Sequence, residues 1–149
     1  MVLEVIAHAK VRDGQLEGLK AQAAEIVRLT REQDTHTLRC DWFINEDGTE
    51  CEIHEMFPDE QGLIEHQIHI MEARTVLFRD YAFDHRSTIF GEVTLDFINL
   101  VKERMGDGRG ADHLLVRARA RTVSDGLARP VRGLAASNAS EEGKWDIWK

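Results

Sequence analysis

The chain has 149 residues, 42% of them apolar, which suits one domain with a real core and excludes wholesale disorder. With 27 acidic against 19 basic side chains its formal charge is −8, so the body is no nucleic-acid platform, because phosphates need a cationic surface. No stretch approaches the roughly 18 apolar residues of a membrane span, and no basic-then-apolar leader opens the sequence, so a cytoplasmic protein without membrane contact is expected.

Val2 to Val11 alternates. Leu3, Val5, Ala7, Ala9 and Val11 form one apolar face of a strand, which Asp13-Gly14 ends as a turn. Leu16, Leu19, Ala23, Ile26 and Thr30 then recur at helical steps and give one buried stripe. Thr37 to Asn45 alternates again, placing Leu38, Cys40, Trp42 and Ile44 on one face and Arg39, Asp41 and Phe43 on the other. Asn45-Glu46-Asp47-Gly48 reads as a hairpin loop. A third strand carries Cys51, Ile53, Glu55 and Phe57 on one side.

Pro58-Asp59 ends that strand and opens a second helix with the stripe Leu63, His66, Ile70, Arg74 and Leu77. This helix is expected to bend near Met71 to Arg74 and continue to about Tyr81. Arg86 to Val93 reads as a fourth strand, and Thr94 as the cap of a last helix with apolar Leu95, Ile98, Val101 and Met105. The two cysteines, Cys40 and Cys51, fall on adjacent strands and make neither a disulfide framework nor a metal motif.

The order β-α-β-β-α-β predicts an α+β, ferredoxin-like fold over residues 1–105, with a four-stranded antiparallel sheet and one bare face. That face carries Val2, Ile6, Phe43 and Met56 among charges, so a homodimer paired through the sheet is expected. Residues 106–149 form a C-terminal extension that opens with the linker Gly106 to Gly110. It offers a short helix over Ala111 to Thr122, a small polar stretch from Leu134 to Gly143, and Trp145 and Trp148 as a docking hook.

The pieces AKVRDG, TLRCDWFINEDG, IHEMFPDEQGLIEH and IFGEV, over roughly residues 2–95, together resemble the antibiotic biosynthesis monooxygenase domains, which are dimeric α/β-barrel proteins. The acid Glu55 followed by the helical His66 is the most specific part. The turn EQDTHT departs from the family, many of whose members have Pro-Gly there, and the tail has no counterpart. A related branch degrades heme with Asn, Trp and His. Those positions fall here at Ala7, His66 and near Val76, so heme degradation is disfavoured.

The resemblance implies a cofactor-independent monooxygenase acting with dioxygen on a small aromatic, a quinol or polyketide-like phenol. The site expected from it has His66 as the base and Glu55 as its partner. Trp42, Leu38, Ala7, Ile70 and Arg74 would form the substrate-binding wall. A buried Glu–His hydrogen bond serving structure alone is the other reading of that pair, and it leads to a non-catalytic dimeric module that binds a small ligand or a protein. No metal is expected. His66 and His69 are an i,i+3 pair, but His8 and His54 lie on strand faces opposite Glu55.

Overall fold

The computed structural model describes residues 2–105, 113–120 and 145–148. The elements run β1 (Leu3–Val11), α1 (Leu16–Gln33), β2 (Arg39–Asn45), β3 (Glu50–Phe57), α2 (Glu60–Val76), a π-helical turn (Leu77–Tyr81), β4 (Ala82–Val93), α3 (Leu95–Met105), β5 (His113–Ala120) and β6 (Trp145–Trp148). The sheet order is β5-β4-β1-β3-β2-β6. Its inner four strands are antiparallel, with β1 between β3 and β4, and β2 beyond β3. This is the expected ferredoxin-like arrangement, an α+β fold.

Alternation sets the sidedness of the sheet. Leu3, Val5, Ala7, Ala9 and Val11 are buried on β1, as are Cys51, Ile53, Glu55 and Phe57 on β3. Two clusters fill the layer between sheet and helices. One joins Ala7, Ala9, Trp42 and Ile53 to Leu19, Ala23 and Ile26 of α1 and Ile70 and Ala73 of α2. The other joins Leu3, Val5 and Phe57 to Leu63, Ile89, Val93 and Phe97, so α3 packs on the same face as the two longer helices. On the opposite face Val2 is exposed, and Ile6, Phe43 and Met56 are half-buried.

Local signals place the ends. Asn45 Oδ1 accepts from the Thr49 and Glu50 amides, both at 2.9 Å, and closes the β2–β3 hairpin. Asp59 caps α2 by accepting from Gly62 N at 3.0 Å, so Pro58 sits just before the cap. Thr94 caps α3 through Phe97 N at 3.1 Å. The second helix does reach Tyr81, but its last turn is π-helical, after Val76.

One expected element is corrected. Within the short helix expected over Ala111 to Thr122, the described residues His113–Ala120 are instead β5, which runs parallel to β4 from Arg86↔His113 to Val93↔Ala120. Its leucines, alanines and arginines are helix formers, but the outer edge of β4 offers a backbone ladder, and pairing overrides propensity. Residues Trp145–Trp148 form β6, which pairs antiparallel to β2 from Trp42↔Trp148 to Asn45↔Trp145. The Gly106 to Gly110 linker and the Leu134 to Gly143 stretch lie outside the described residues. Among the described residues, no helix is long and apolar enough to cross a membrane.

Gly91 in β4 has φ +136°, where a Cβ would lie 2.6 Å from Leu3 Cδ2 and 3.0 Å from Val2 O. Gly91→Ala therefore lowers stability by about 1–3 kcal/mol, read from the midpoint of urea unfolding. An unchanged midpoint would show that β1 yields at this crossing.

Candidate functional site

A cavity of about 220 Å³ lies between the sheet and the helices α2 and α3. Its floor comes from β1, β3 and β4. Val5 and Ala7 are flanked by Ile53 and Glu55 on one side and by Ser87 and Ile89 on the other. Ala7 and Ser87 on the floor are small and leave space that larger side chains would fill. The roof is α2, with Ile64, Gln67, Ile70, Met71 and Arg74, and α3, with Phe97, Leu100 and Val101.

Glu55 is an acid in this apolar wall, 7% exposed. Its Oε1 lies 3.0 Å from His66 Nε2. The other ring nitrogen, His66 Nδ1, lies 2.6 Å from Asp34 Oδ2. His66 is fully buried and packs its ring 5.3 Å from that of Phe57. Burial opposes charge on this ring, but the hydrogen bonds and charges of Glu55 and then Asp34 outweigh it and raise the His66 pKa above the ordinary value. The protonated ring donates from both nitrogens, one to each carboxylate.

Asp34 ends α1, where the helix dipole disfavours an acid. Three donors offset this: Thr37 Oγ1 at 2.6 Å, His66, and His69 Nδ1 at 2.6 Å from Oδ1. Burial pushes the Asp34 pKa up, but those hydrogen bonds bring it below the usual carboxylate value. His69 is partly exposed, so a continuous hydrogen-bonded line runs from Glu55 at the cavity through His66 and Asp34 to the surface. Beside it, Thr35 and His36 both bind Glu65 of α2, at 2.8 Å each. The divergent turn EQDTHT thus fastens α1 to α2. Across the strand pair, the Cys40 thiol is pushed up to about 12 by burial and by the Glu55 charge, so it stays protonated and is no nucleophile.

A second polar group lines the cavity elsewhere. His85 and Ser87 on β4 are buried, and His85 Nε2 lies 2.9 Å from Ser87 Oγ. Arg74 Nη2 lies 3.4 Å from His85 Nδ1, and its guanidinium carbon sits 5.0 Å from the Phe78 ring centroid. The Phe78 and His85 rings are 4.4 Å apart.

Of the residues expected from sequence, Glu55, Trp42, Ala7, Ile70 and Arg74 line the cavity together. Two do not. Leu38 is 58% exposed, because the chain is still leaving the α1–β2 turn there and β2 begins only at Arg39. His66 lies behind Glu55, not in the wall, because both its nitrogens are turned to carboxylates. Asp34, His85 and Ser87 were missed. For Asp34 the spare polar residues of EQDTHT were the available signal. Among the described residues, no group of three or more metal-ligating side chains is assembled.

Solved structures share the fold. MupZ from Pseudomonas fluorescens superposes with a TM-score of 0.59 at 16% identity, over 85% of this chain and 98% of MupZ. Rv0793 from Mycobacterium tuberculosis gives 0.54 at 21% identity, over 60% of this chain and 92% of its own. A structure described as an antibiotic biosynthesis monooxygenase gives 0.53 at 20% identity, over 58% and 94%. The chain therefore has the ferredoxin-like fold found in antibiotic biosynthesis monooxygenase structures. No protein-family model and no curated protein matches the sequence.

Titration of this line has a definite sign. The raised His66 pKa contributes stability that is complete below its unfolded value near 6.5 and is lost as pH rises through the folded value. The lowered Asp34 pKa contributes stability present above about pH 4 and lost as pH falls through its folded value. Asp34→Asn is expected to cost about 3–5 kcal/mol, since it removes one ionic partner of a buried ring, and to move the alkaline loss to lower pH. Thermal melts across pH check both. An Asp34→Asn curve parallel to wild type would show that Asp34 does not set the His66 charge.

Proposed function

We propose that this chain is a cofactor-independent monooxygenase of small hydroxylated aromatics, working with dioxygen as a homodimer paired through its bare sheet face. One observation carries the reading: an apolar cavity with a single-chain wall holds one buried acid, Glu55, backed by a buried imidazole. An engineered apolar cavity of about 150 Å³ takes benzene, so this somewhat larger one suits a one- or two-ring compound. The likeness to a described monooxygenase structure supports the same class.

The roles follow from the geometry. His66 already donates from both nitrogens and is sealed from the cavity, so it is a positioning residue that orients Glu55 and balances its charge. Glu55 is the base. Its carboxylate takes the proton of the aromatic hydroxyl, and the ring becomes an electron-rich anion. That anion passes one electron to dioxygen, and the resulting radical and superoxide combine to form a carbon–oxygen bond. The proton returns from Glu55 to the peroxide, and as the oxygenated ring carbon gives up its own C–H proton, the C–H electron pair forms the quinone C=O and the O–O bond breaks, the two protons and the outer oxygen making water. One oxygen atom leaves as water and the other stays on the ring as a quinone oxygen. Trp42, Ile70 and Ala7 hold the ring plane and exclude water. A binder that does no chemistry would use the same cavity and is separated by the test below.

Oxygen consumption with a panel of naphthols and hydroquinones is the measurement. Wild type should consume one dioxygen per quinone formed, Glu55→Gln should be slower by about 10²-fold or more, and His66→Gln should fall between them. Binding without oxygen uptake in wild type would sink the catalytic reading and leave the binder. A Glu55→Gln rate equal to wild type would sink Glu55 as base.

A further inference from the structure

The cavity has two polar poles, and only one is used by the reaction above. Their separation can be read twice. Glu55 stands beside Val5 and then Ile89 across the sheet, whereas Ser87 stands beside Ala7 and then Ile53. Glu55 and Ser87 are thus two strands apart and offset by two residues, or about 12 Å between Cα atoms at ordinary sheet spacing. On the roof, His66, which holds Glu55, and Arg74, which reaches His85, are eight residues apart on α2, again about 12 Å along the axis. Floor and roof therefore agree on one acid end and one donor end.

The donor end has a definite polarity. Arginine can only donate, so His85 Nδ1 is the acceptor of the Arg74 contact and the neutral ring carries its proton on Nε2. That N–H donates to Ser87 Oγ, which directs the serine hydroxyl hydrogen elsewhere. The guanidinium is held over Phe78, which in turn stacks on His85. With five N–H donors, Arg74 can keep its protein contacts and still take a ligand oxygen.

Resting on the monooxygenase-cavity reading, we propose that the ligand carries a second oxygen function, a carboxylate or a conjugated carbonyl, which docks at Arg74 and Ser87 while its hydroxyl faces Glu55. The ligand class is a hydroxylated two-ring aromatic with an acidic or carbonyl oxygen at the far end. Phe78 and Ile89 flank the ring near that end, and Arg74 and Ser87 set specificity there.

Three fluorescent probes test this by direct titration of the full chain: 6-hydroxy-2-naphthoate, 2-naphthol and 2-naphthoate. Wild type should bind 6-hydroxy-2-naphthoate about tenfold or more tighter than 2-naphthol, the ratio expected from one charge-assisted hydrogen bond. Arg74→Gln and Ser87→Ala should each remove most of that preference, weakening 6-hydroxy-2-naphthoate far more than 2-naphthol. Arg74→Lys should restore part of the charge effect and less of the geometry. Unfolding midpoints of each variant exclude a folding defect as the cause. Equal wild-type affinity for 6-hydroxy-2-naphthoate and 2-naphthol, or variants that weaken both alike, would overturn the donor pole while leaving the cavity reading intact. Failure of all three probes to bind would overturn the cavity reading and the pole with it.

Discussion

The structure turns on one buried charge arrangement: a single imidazole between two carboxylates, with water excluded from all three. Asp34 is 1% exposed at its side chain, Glu55 8% and His66 not at all. A charge taken out of water costs several kcal/mol unless it is paired and hydrogen-bonded. One acid against one neutral ring would leave that cost largely standing. Here the ring lies between two carboxylates, one at each nitrogen, and the Thr37 hydroxyl and the partly exposed His69 add further partners to Asp34. The arrangement also ties three elements together, since Asp34 ends α1, Glu55 belongs to β3 and His66 to α2.

That tie explains why a cavity survives in the middle of a close-packed layer. α2 would gain contact area by settling onto Ala7 and Ser87, but it is anchored near its start by His66 to Glu55 and Asp34, and by Glu65 to Thr35 and His36. At its far end Gln22 of α1 donates to Ala73 O at 2.9 Å, and the π-helical turn leads directly into β4. A helix pinned at both ends can bridge small floor residues without collapsing on them. The apolar surface left inside is a cost that a bound apolar ligand would offset.

Much of this was legible in the sequence, and the reason is periodicity. Period two put Glu55 and Trp42 on the inner sheet face, and period 3.6 put His66, Ile70 and Arg74 on the inner helix face. What failed were positions that no period governs. Asp34 lies in a turn between elements. Leu38 lies one residue before β2 and so was assigned a face that the chain had not yet taken up. His85 escaped because the fourth strand was started at Arg86, whereas it begins at Ala82, and Ser87, though inside that strand, was given no face. The apolar stripe of α2 is itself interrupted by His66 and Arg74, which turn to Glu55 and to His85. For β5 the alternation of Val116, Arg117, Ala118 and Arg119 was present, but helix-forming composition outweighed it until the open edge of β4 decided.

Placing the base on Glu55 instead of His66 has a chemical consequence that connects the two poles. A carboxylate is a weaker base than a phenolate by several orders of magnitude, so an ordinary phenol would give up its proton only rarely. The balance shifts if the anion spreads onto a distant oxygen and that oxygen meets a cation. A ring that conjugates the hydroxyl at Glu55 to a carbonyl or carboxyl at Arg74 does both, because negative charge formed at one end is delivered to the donors at the other. The acid pole and the donor pole then act on one π system as a pull and a sink. An unconjugated hydroxyl of the same size would fill the cavity and stay protonated, so on the proposed chemistry the length of the cavity and the weakness of its base would select the same kind of molecule.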